Sequence, residues 1–570
     1  MTMQQSAPLA ERLEASRDRV GVDRFDLGVL LVHGLGQQQR GDTLTEAGDE
    51  IFRWLRLRVR DEQDGGGNVT VLDVTARAPS GDAIPAAHAV VRITPPDGAA
   101  STWVVAEAWW AEVFRPATFM EMAGWVVTVG PWVFATQVAG VRRRLEIGVD
   151  VPPALRVLLI PVTLVFGLLM AAAAAIIGFV VTALVAGIFL VAVTRIPVLA
   201  EAAQRLQRQM ANEFGDAYVL TRSPVRFGAM SSAVRSDLQA LREQCKSVVL
   251  IAHSQGTAVA WFALRHELTD GRVVPTGAPA RSPIGLFLTY GQAVRKLTFA
   301  LCMARGEQKG VRTILSFGSA LLVGAAIAGY LLTGLWWVPT LLGILAVVAE
   351  LFLLRSASEV WEKSGKELEE DWADVLKHAP DIEWLDLWAS ADPASVGPLD
   401  VEGPHIDSYK IRNLGSILGD HTTYWHNTTE FLAIVGGKLF GLGGPQTYAV
   451  PLTDRYLVVA AMRRHARVVL LTTMRFIVLG AIIAGLVWVV LTPTLGGEVI
   501  AWIDGLDLLF VDPFFADPPE WAVLVAGFVP VLVAGFLVWR VLEGLWKGLV
   551  GADEAIYFGT EQRSLWNARW

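Results

Sequence analysis

Four long stretches of this chain carry no charged residue: 157–194, 313–349, 476–497 and 521–539. They constrain the fold more than any other feature, because about 20 apolar residues are enough to cross a hydrocarbon core about 30 Å thick. At about 1.5 Å per residue the first two runs are too long for one crossing, so each is expected to fold back as a helical hairpin. The last two are of single-span length and flank a stretch from Glu498 to Glu520, which makes a third pair and about six spans in all. A hydrophobic share of 53% over 570 residues agrees with a chain partly embedded in lipid.

Charge placement orients these spans. Arg142, Arg143, Arg144 and Arg156 precede the first run, and Arg195, Arg205 and Arg208 follow it. The second run is entered after Arg305, Lys309 and Arg312 and left at Arg355, and the third pair lies between Arg463, Arg464, Arg467, Arg475 and Arg540, Lys547. The one long tip instead holds Glu498, Asp504, Asp507, Asp512, Asp517 and Glu520 and no Lys or Arg. Excess positive charge marks the cytoplasmic side, so the hairpin bases and the polar sequence between them are expected in the cytoplasm. Met1 to Phe25 is polar and charged, with no secretory signal pattern. The two cysteines, Cys245 and Cys302, provide no disulfide framework and fit a reducing compartment. Arginine, alanine, glycine and valine are abundant, which by association points to a GC-rich bacterial genome and a multi-pass protein of the bacterial plasma membrane.

Between the apolar runs the pattern is α/β. Phe25–Val32, Val69–Ala76, Ala89–Ile93, Thr102–Phe114, Gly285–Tyr290 and Ile382–Trp388 read as strands, and Ser231–Gln244 reads as a helix leading into a strand at Ser247. Strands alternating with helices argue for a mostly parallel sheet with helices on both faces. The expected organisation is a polar tail over 1–24, a first soluble stretch over 25–150, a hairpin over 151–197 and a core over 198–311. A second hairpin over 312–356, a third soluble stretch over 357–455, a final pair over 456–548 and a tail over 549–570 complete it. The glycine-rich segment Gly436–Gly444 reads as a flexible connection to that final pair. The net charge of -8 and the absence of a Walker loop, a strand-following Gly-x-Gly-x-x-Gly or a His-Glu-x-x-His give no sign of a nucleic-acid partner, a cofactor or a metal.

The run Val248-Val249-Leu250-Ile251-Ala252-His253-Ser254-Gln255-Gly256-Thr257-Ala258 sets a serine between a buried apolar strand and a small-residue helix start. A serine hydroxyl attacks a carbonyl only if it is exposed, near a base and facing donors for the developing oxyanion, and a tight strand-to-helix turn supplies that geometry. The segment resembles the nucleophile elbow of α/β-hydrolases, with Ala252 in place of the first glycine of Gly-x-Ser-x-Gly. The first strand ends Val32-His33-Gly34-Leu35-Gly36, which is similar to the His-Gly segment of lipases and esterases. By that resemblance the oxyanion hole is formed by the backbone N–H groups of Leu35 and Gln255, with Gly34 and Gly256 allowing close approach. Taken without the elbow, the first of these segments is equally a phosphate-binding glycine turn or a plain strand exit.

A base that works near neutral pH is a histidine, and the chain has nine. His253 adjoins the serine, His33 belongs to the glycine segment, and His88, His266, His378 and His465 sit in ordinary strand or helix contexts, which leaves His405, His421 and His426. Asp420-His421-Thr422-Thr423-Tyr424 resembles the Asp-His-x-x-Tyr loop of lipase-like hydrolases and selects His421. The family order of serine, acid, histidine points to Asp392, after the strand Glu383–Trp388, with Asp386 inside that strand as the rival.

Convergence of these segments requires that each membrane insertion between them cross an even number of times. The apolar stretch Phe119–Val138, with Glu121, Pro131, Trp125 and Trp132, is therefore expected to lie along the membrane surface or cap a pocket over 118–140, or else to be a buried soluble helix. The resemblance covers Phe25 to about Phe431 and implies a serine hydrolase of the α/β-hydrolase fold. Its partner is the bilayer and its substrate a lipid or other acyl ester. Small-residue stretches such as Ala171–Gly178 leave room for an oligomer. The alternative is a hydrolase-like domain without activity, serving a membrane scaffold or transporter.

Overall fold

The computed structural model describes most of residues 8–110 and 219–444, with isolated positions outside those ranges. In the first half of the chain the described elements are α1 (Leu9–Val20), β1 (Phe25–Val32), α2 (Asp42–Arg60), β2 (Asn68–Thr75), β3 (His88–Thr94) and β4 (Ser101–Ala108). Then come α3 (Pro224–Gln244), β5 (Cys245–His253), α4 (Gly256–Thr269), β6 (Ile284–Tyr290), α5 (Val294–Arg305), α6 (Lys309–Thr333) and α7 (Trp337–His378). The last are β7 (Glu383–Ala389), β8 (Ile406–Ile411), α8 (Gly419–Thr422) and α9 (Phe431–Gly443). Contacts divide the chain into one unit of Met1–Ile411, Tyr424–His426 and Phe431–Val450, and a second of Arg412–Thr423, Asn427–Glu430 and Pro451–Trp570.

The strands form a single mixed sheet in the order β2-β3-β4-β1-β5-β6-β7-β8. From β4 to β8 every neighbouring pair is parallel, and toward the other end β3 runs against the rest, antiparallel to both β4 and β2. Continuous apolar strands such as Phe25–Val32 require cover on both faces. Leu30, Val32, Leu250, Ala252 and Phe287 face one way, under α1, α3 and α4, and Val29, Leu31, Val249, Ile251 and Leu288 face the other, under α2 and α9. β1 lies inside this α/β layering between β4 and β5; the chain leaves β1 toward β2 at one end of the sheet and leaves the adjacent β5 toward β6 in the opposite direction. In open sheets of this kind ligands bind outside the carboxyl ends of the strands at such a switch point.

Several expectations change. The tail over 1–24 contains a helix, α1, whose Leu9 and Leu13 are buried. The strand expected over Thr102–Phe114 ends at Ala108, and 111–114 lie outside the described residues. Gly436–Gly444 is no flexible connection: it falls largely within α9, where a Cβ on Gly436 would lie 2.5 Å from the Trp54 ring. These glycines let a helix press on α2 and on β1, as Gly443 does against Leu27.

Of about six expected spans, one helix among the described residues, Trp337–His378, is long and apolar enough to cross a membrane. It packs along α6, and Leu321, Ile327, Tyr330, Leu341, Ile344 and Phe352 are exposed on this pair of helices, of which the second alone meets that test among the described residues. The runs 118–140 and 151–197, the acidic tip after Glu498 and the tail over 549–570 lie outside the described residues. In the second unit, described helical positions within 474–488 and 530–544 pack closely, with Gly485 against Val531 and Gly535 against Ile482.

α7 continues unbroken past the expected hairpin boundary at 356. Trp361 and Ser364 meet Arg295 just after the end of β6, and Trp372 packs on Trp384 at the start of β7, with ring centroids 5.3 Å apart. The helix therefore descends antiparallel to the strands, and its apolar half extends past their C-terminal ends. Because α9 presses directly on Trp54, Gly436→Ala should lower stability by about 1–3 kcal/mol, read as a fall in the Tm of the solubilised protein. An unchanged Tm would show that this helix contact is looser.

Candidate active site

β5 ends at His253 and α4 begins at Gly256, so Ser254 and Gln255 make the whole turn. Ser254 takes a left-handed φ of 53°, a conformation that costs a non-glycine residue about 1 kcal/mol or more and persists only where neighbours over-determine it. They do so here. The Ser254 N–H donates to the Tyr290 carbonyl at 3.2 Å, and the Ser254 carbonyl accepts from the N–H of Thr257 (3.1 Å), Thr257 Oγ1 (2.6 Å) and the N–H of Ala293 (3.3 Å). Strand, helix start and the exit of β6 thus converge on one serine at the C-terminal edge of the sheet.

The exit of β1 presses on the same turn. A Cβ on Gly34 would lie 2.6 Å from the Ser254 Cβ, and one on Gly256 would overlap the His33 carbonyl oxygen. Both glycines singled out from the sequence are therefore required by space. Gln255 is buried at the start of α4, and among the described residues no hydrogen bond uses its N–H. Leu35, the other expected oxyanion donor, lies outside the described residues. His33 is buried between Trp109 and Trp110, and its Nδ1 lies 2.8 Å from the Gly34 carbonyl oxygen. Burial pulls its pKa down to about 4, against the opposing effect of that contact, so the ring is neutral and Nδ1 carries the proton.

Asp392 stands just past the end of β7 on the same edge, almost fully buried. Its Oδ2 accepts from the Tyr424 hydroxyl at 2.8 Å, and Oδ1 accepts from the N–H groups of Ala394 (2.7 Å) and Ser395 (3.3 Å). The Tyr424 hydroxyl in turn accepts from the Ala389 N–H at 2.8 Å, which ties the acid to the strand end. Asp386, the rival, lies inside β7 and is occupied by Thr289 Oγ1, Ser408 Oγ and the Leu399 N–H.

The histidines separate by position. His405 precedes β8 beside the start of β7, and the register sets it about five residues below Ser254 along the strands, or about 16 Å at about 3.3 Å per residue. That is the wrong edge of the sheet for a base. His426 is exposed, between a buried Trp425 and a buried Asn427. His253 stacks on Tyr290 at 4.5 Å, and His88 contacts Ser16 Oγ at 2.9 Å. His421 is half-buried in α8, within the second unit.

Sequence reasoning misses Tyr424 and Thr257, which hold the acid and the elbow. Tyr424 is visible as the final position of Asp-His-x-x-Tyr, whereas Thr257 has no signal of its own. Compared with protein families, curated proteins and solved structures, the chain matches none.

Burial pushes the Asp386 carboxyl up to about 7, against three hydrogen-bond donors and with Asp392 adding to the rise. A carboxyl with a raised folded-state pKa stabilises the fold most at low pH, and that contribution is lost as pH climbs from about 4 to about 7. Asp386→Asn should therefore make the decline of Tm between about pH 5 and about pH 8 shallower than in the wild type. Parallel curves for the two proteins would rule out a protonated Asp386.

Proposed function

We propose that this chain is a membrane-anchored serine hydrolase that cleaves an ester, with a lipid of the cytoplasmic leaflet as substrate. The observation that carries the reading is the left-handed Ser254, locked at the C-terminal edge of a parallel sheet with a side-chain-free strand exit pressed against it. A plain strand-to-helix connection needs neither the strain nor the close approach.

In this reaction Ser254 Oγ attacks the acyl carbonyl. His421, the base chosen by the Asp-His-x-x-Tyr resemblance, takes the hydroxyl proton and returns it to the leaving alcohol, and the acyl-enzyme is then hydrolysed by water in the reverse sense. Asp392 holds the imidazole in the right tautomer and stabilises the imidazolium, itself fixed by Tyr424. The N–H groups of Gln255 and Leu35 receive the oxyanion.

The membrane side of the proposal is supported by α7. Its apolar half lies beyond the strand ends that carry Ser254, so an anchor of about six spans would turn this edge of the domain toward the bilayer. From Trp361, near the level of the site, to Arg355, the last basic residue before the lipid-facing stretch, is about one and a half to two helical turns, or about 10 Å. A lipid ester need leave the leaflet only by a short distance.

Exposing membranes that contain the protein to a serine-reactive fluorophosphonate should label the wild type and leave Ser254→Ala unlabelled. Equal labelling of both would remove Ser254 as nucleophile, and labelling of neither would favour an inactive scaffold. With labelling established, long-chain lipid esters presented in vesicles should be cleaved and matching peptides should not.

A further inference from the structure

On one flank of the sheet, helices α4, α5 and α7 do not close completely on one another. They leave a groove of about 310 Å³, at the lower end of the range for sites that hold small molecules. Its floor is apolar, made by Trp261 and Phe262 of α4, Leu301 of α5 and Leu368 of α7. Trp261 is a rigid part of that floor, because its ring stacks on Trp384 at 4.8 Å and meets Trp372 at 6.1 Å. A ligand that covers it has little side-chain ordering left to do there.

The wall above this floor is acidic. Its polar side chains are Arg265, Thr298, Glu367, Glu370 and Asp371, and Arg265 is the one cation among them. Arg265 Nη1 already donates to Asp371 Oδ2 at 2.7 Å. Thr298 Oγ1 gives its proton to the Val294 carbonyl at 2.9 Å and keeps its lone pairs for another donor. Glu367 meets Cys302 Sγ, a weak donor, at 3.2 Å, and Glu370 stands exposed at the rim. Glu367 lies three and four residues from Glu370 and Asp371 on one face of α7, where like charges repel. Asp374, the next acid along, is answered by Lys377 at 3.2 Å. Among the described residues no ion pair answers Glu367 or Glu370. With Arg265 spent on Asp371, the wall keeps a surplus of two negative charges over an aromatic floor.

We propose that this groove is a binding site for a small organic ammonium ion, a primary amine on an aryl or alkyl body. The body displaces water from Trp261, Phe262, Leu301 and Leu368, and the ammonium, with three donors and no acceptor, is shared by Glu367, Glu370 and Thr298 Oγ1. An anionic ligand of the same shape meets like charge, and a neutral one covers the two glutamates without supplying a cation. The groove flanks the half of α7 that runs beside the sheet, so its ligand arrives from water and not from lipid. None of its side chains belongs to the Ser254 site, and the assignment does not depend on the hydrolase reading.

The test is calorimetric titration of the full-length solubilised protein at pH 7 with 2-phenylethylamine, 2-phenylethanol and phenylacetate, which share a skeleton and carry a positive, no and a negative charge. The amine should bind saturably with a Kd at or below about 1 mM, the alcohol at least about 10-fold more weakly, and phenylacetate not at all. Glu367→Gln combined with Glu370→Gln should weaken the amine at least about 10-fold and bring its affinity near that of the alcohol, with Tm unchanged or raised because the crowded charges are gone. Thr298→Trp, which fills the groove, should abolish binding of the amine; if this variant does not fold, the glutamine pair decides. Equal affinity for amine and alcohol, no saturable binding of the amine, or amine binding that the glutamine pair leaves unchanged each overturns the proposal. Oligolysine that binds through Glu367 and Glu370 where the small amine does not would assign the groove to a basic protein partner, and that result overturns it too.

Discussion

The parallel pairing of β1 with β5 is the contact on which the rest of the site depends. It runs from Phe25 opposite Cys245 to Val32 opposite Ala252, so both strands release the chain at the same height on the same edge. The residues just beyond the two strands are then forced together, and the only side chains compatible with that approach are those of glycine at positions 34 and 256. The strained φ of Ser254 is stable because the hydrogen bonds from Thr257 and Ala293 and the one to Tyr290 leave its peptide groups no other orientation. Position and strain both descend from one strand register, which also leaves Ser254 buried, at 4% exposure, where the expected nucleophile is an exposed one.

The hairpin of α6 and α7 is joined to this edge by a short run of direct contacts. Arg295 is buried, with its guanidinium 4.3 Å over the Trp361 ring and hydrogen bonds to the Trp361 carbonyl and to Ser364 Oγ. Gly365 leaves the room that this guanidinium fills. Two residues before Arg295, the N–H of Ala293 bonds the Ser254 carbonyl. The long helix is thus a rigid extension of the domain and no mere tether, since its second half contributes Leu368, Trp372 and Val375 to the core.

The parts of this fold that can be read from the sequence are those where a residue's burial follows from its own neighbours in the chain. β1, β5, β6 and β7 are apolar runs of strand length, and their expected limits differ from the observed ones by a residue or two. The elbow is legible because a small-residue helix start after such a run has few other uses. Where burial comes from distant partners, the reading fails. α1 is polar in composition and is buried by docking on α3 and, through Ser16, on β2 and β3, and β8, Ile406–Ile411, is an exposed edge strand with no alternation to mark it. The glycines of α9 carry the same letters as a linker and become helix-packing residues only opposite Trp54 and Leu27. Glu107 gives no sign that it accepts from the N–H groups of Gly41 and Leu44, because these lie more than sixty residues away.

The central position of β1 also has a bearing on biosynthesis. Asp26 and Lys246, bonded across the β1–β5 pair, are separated by 220 residues. A ribosome therefore releases this buried, largely apolar strand long before its neighbour β5 exists, and the segment expected to enter the bilayer as the first hairpin is made in between. Closing so long a loop is slow, and an unpaired apolar strand invites aggregation while it waits. Delivery to the membrane during translation would shorten that exposure, so on the proposed reading the order of synthesis would put insertion of that segment early in the building of the α/β domain.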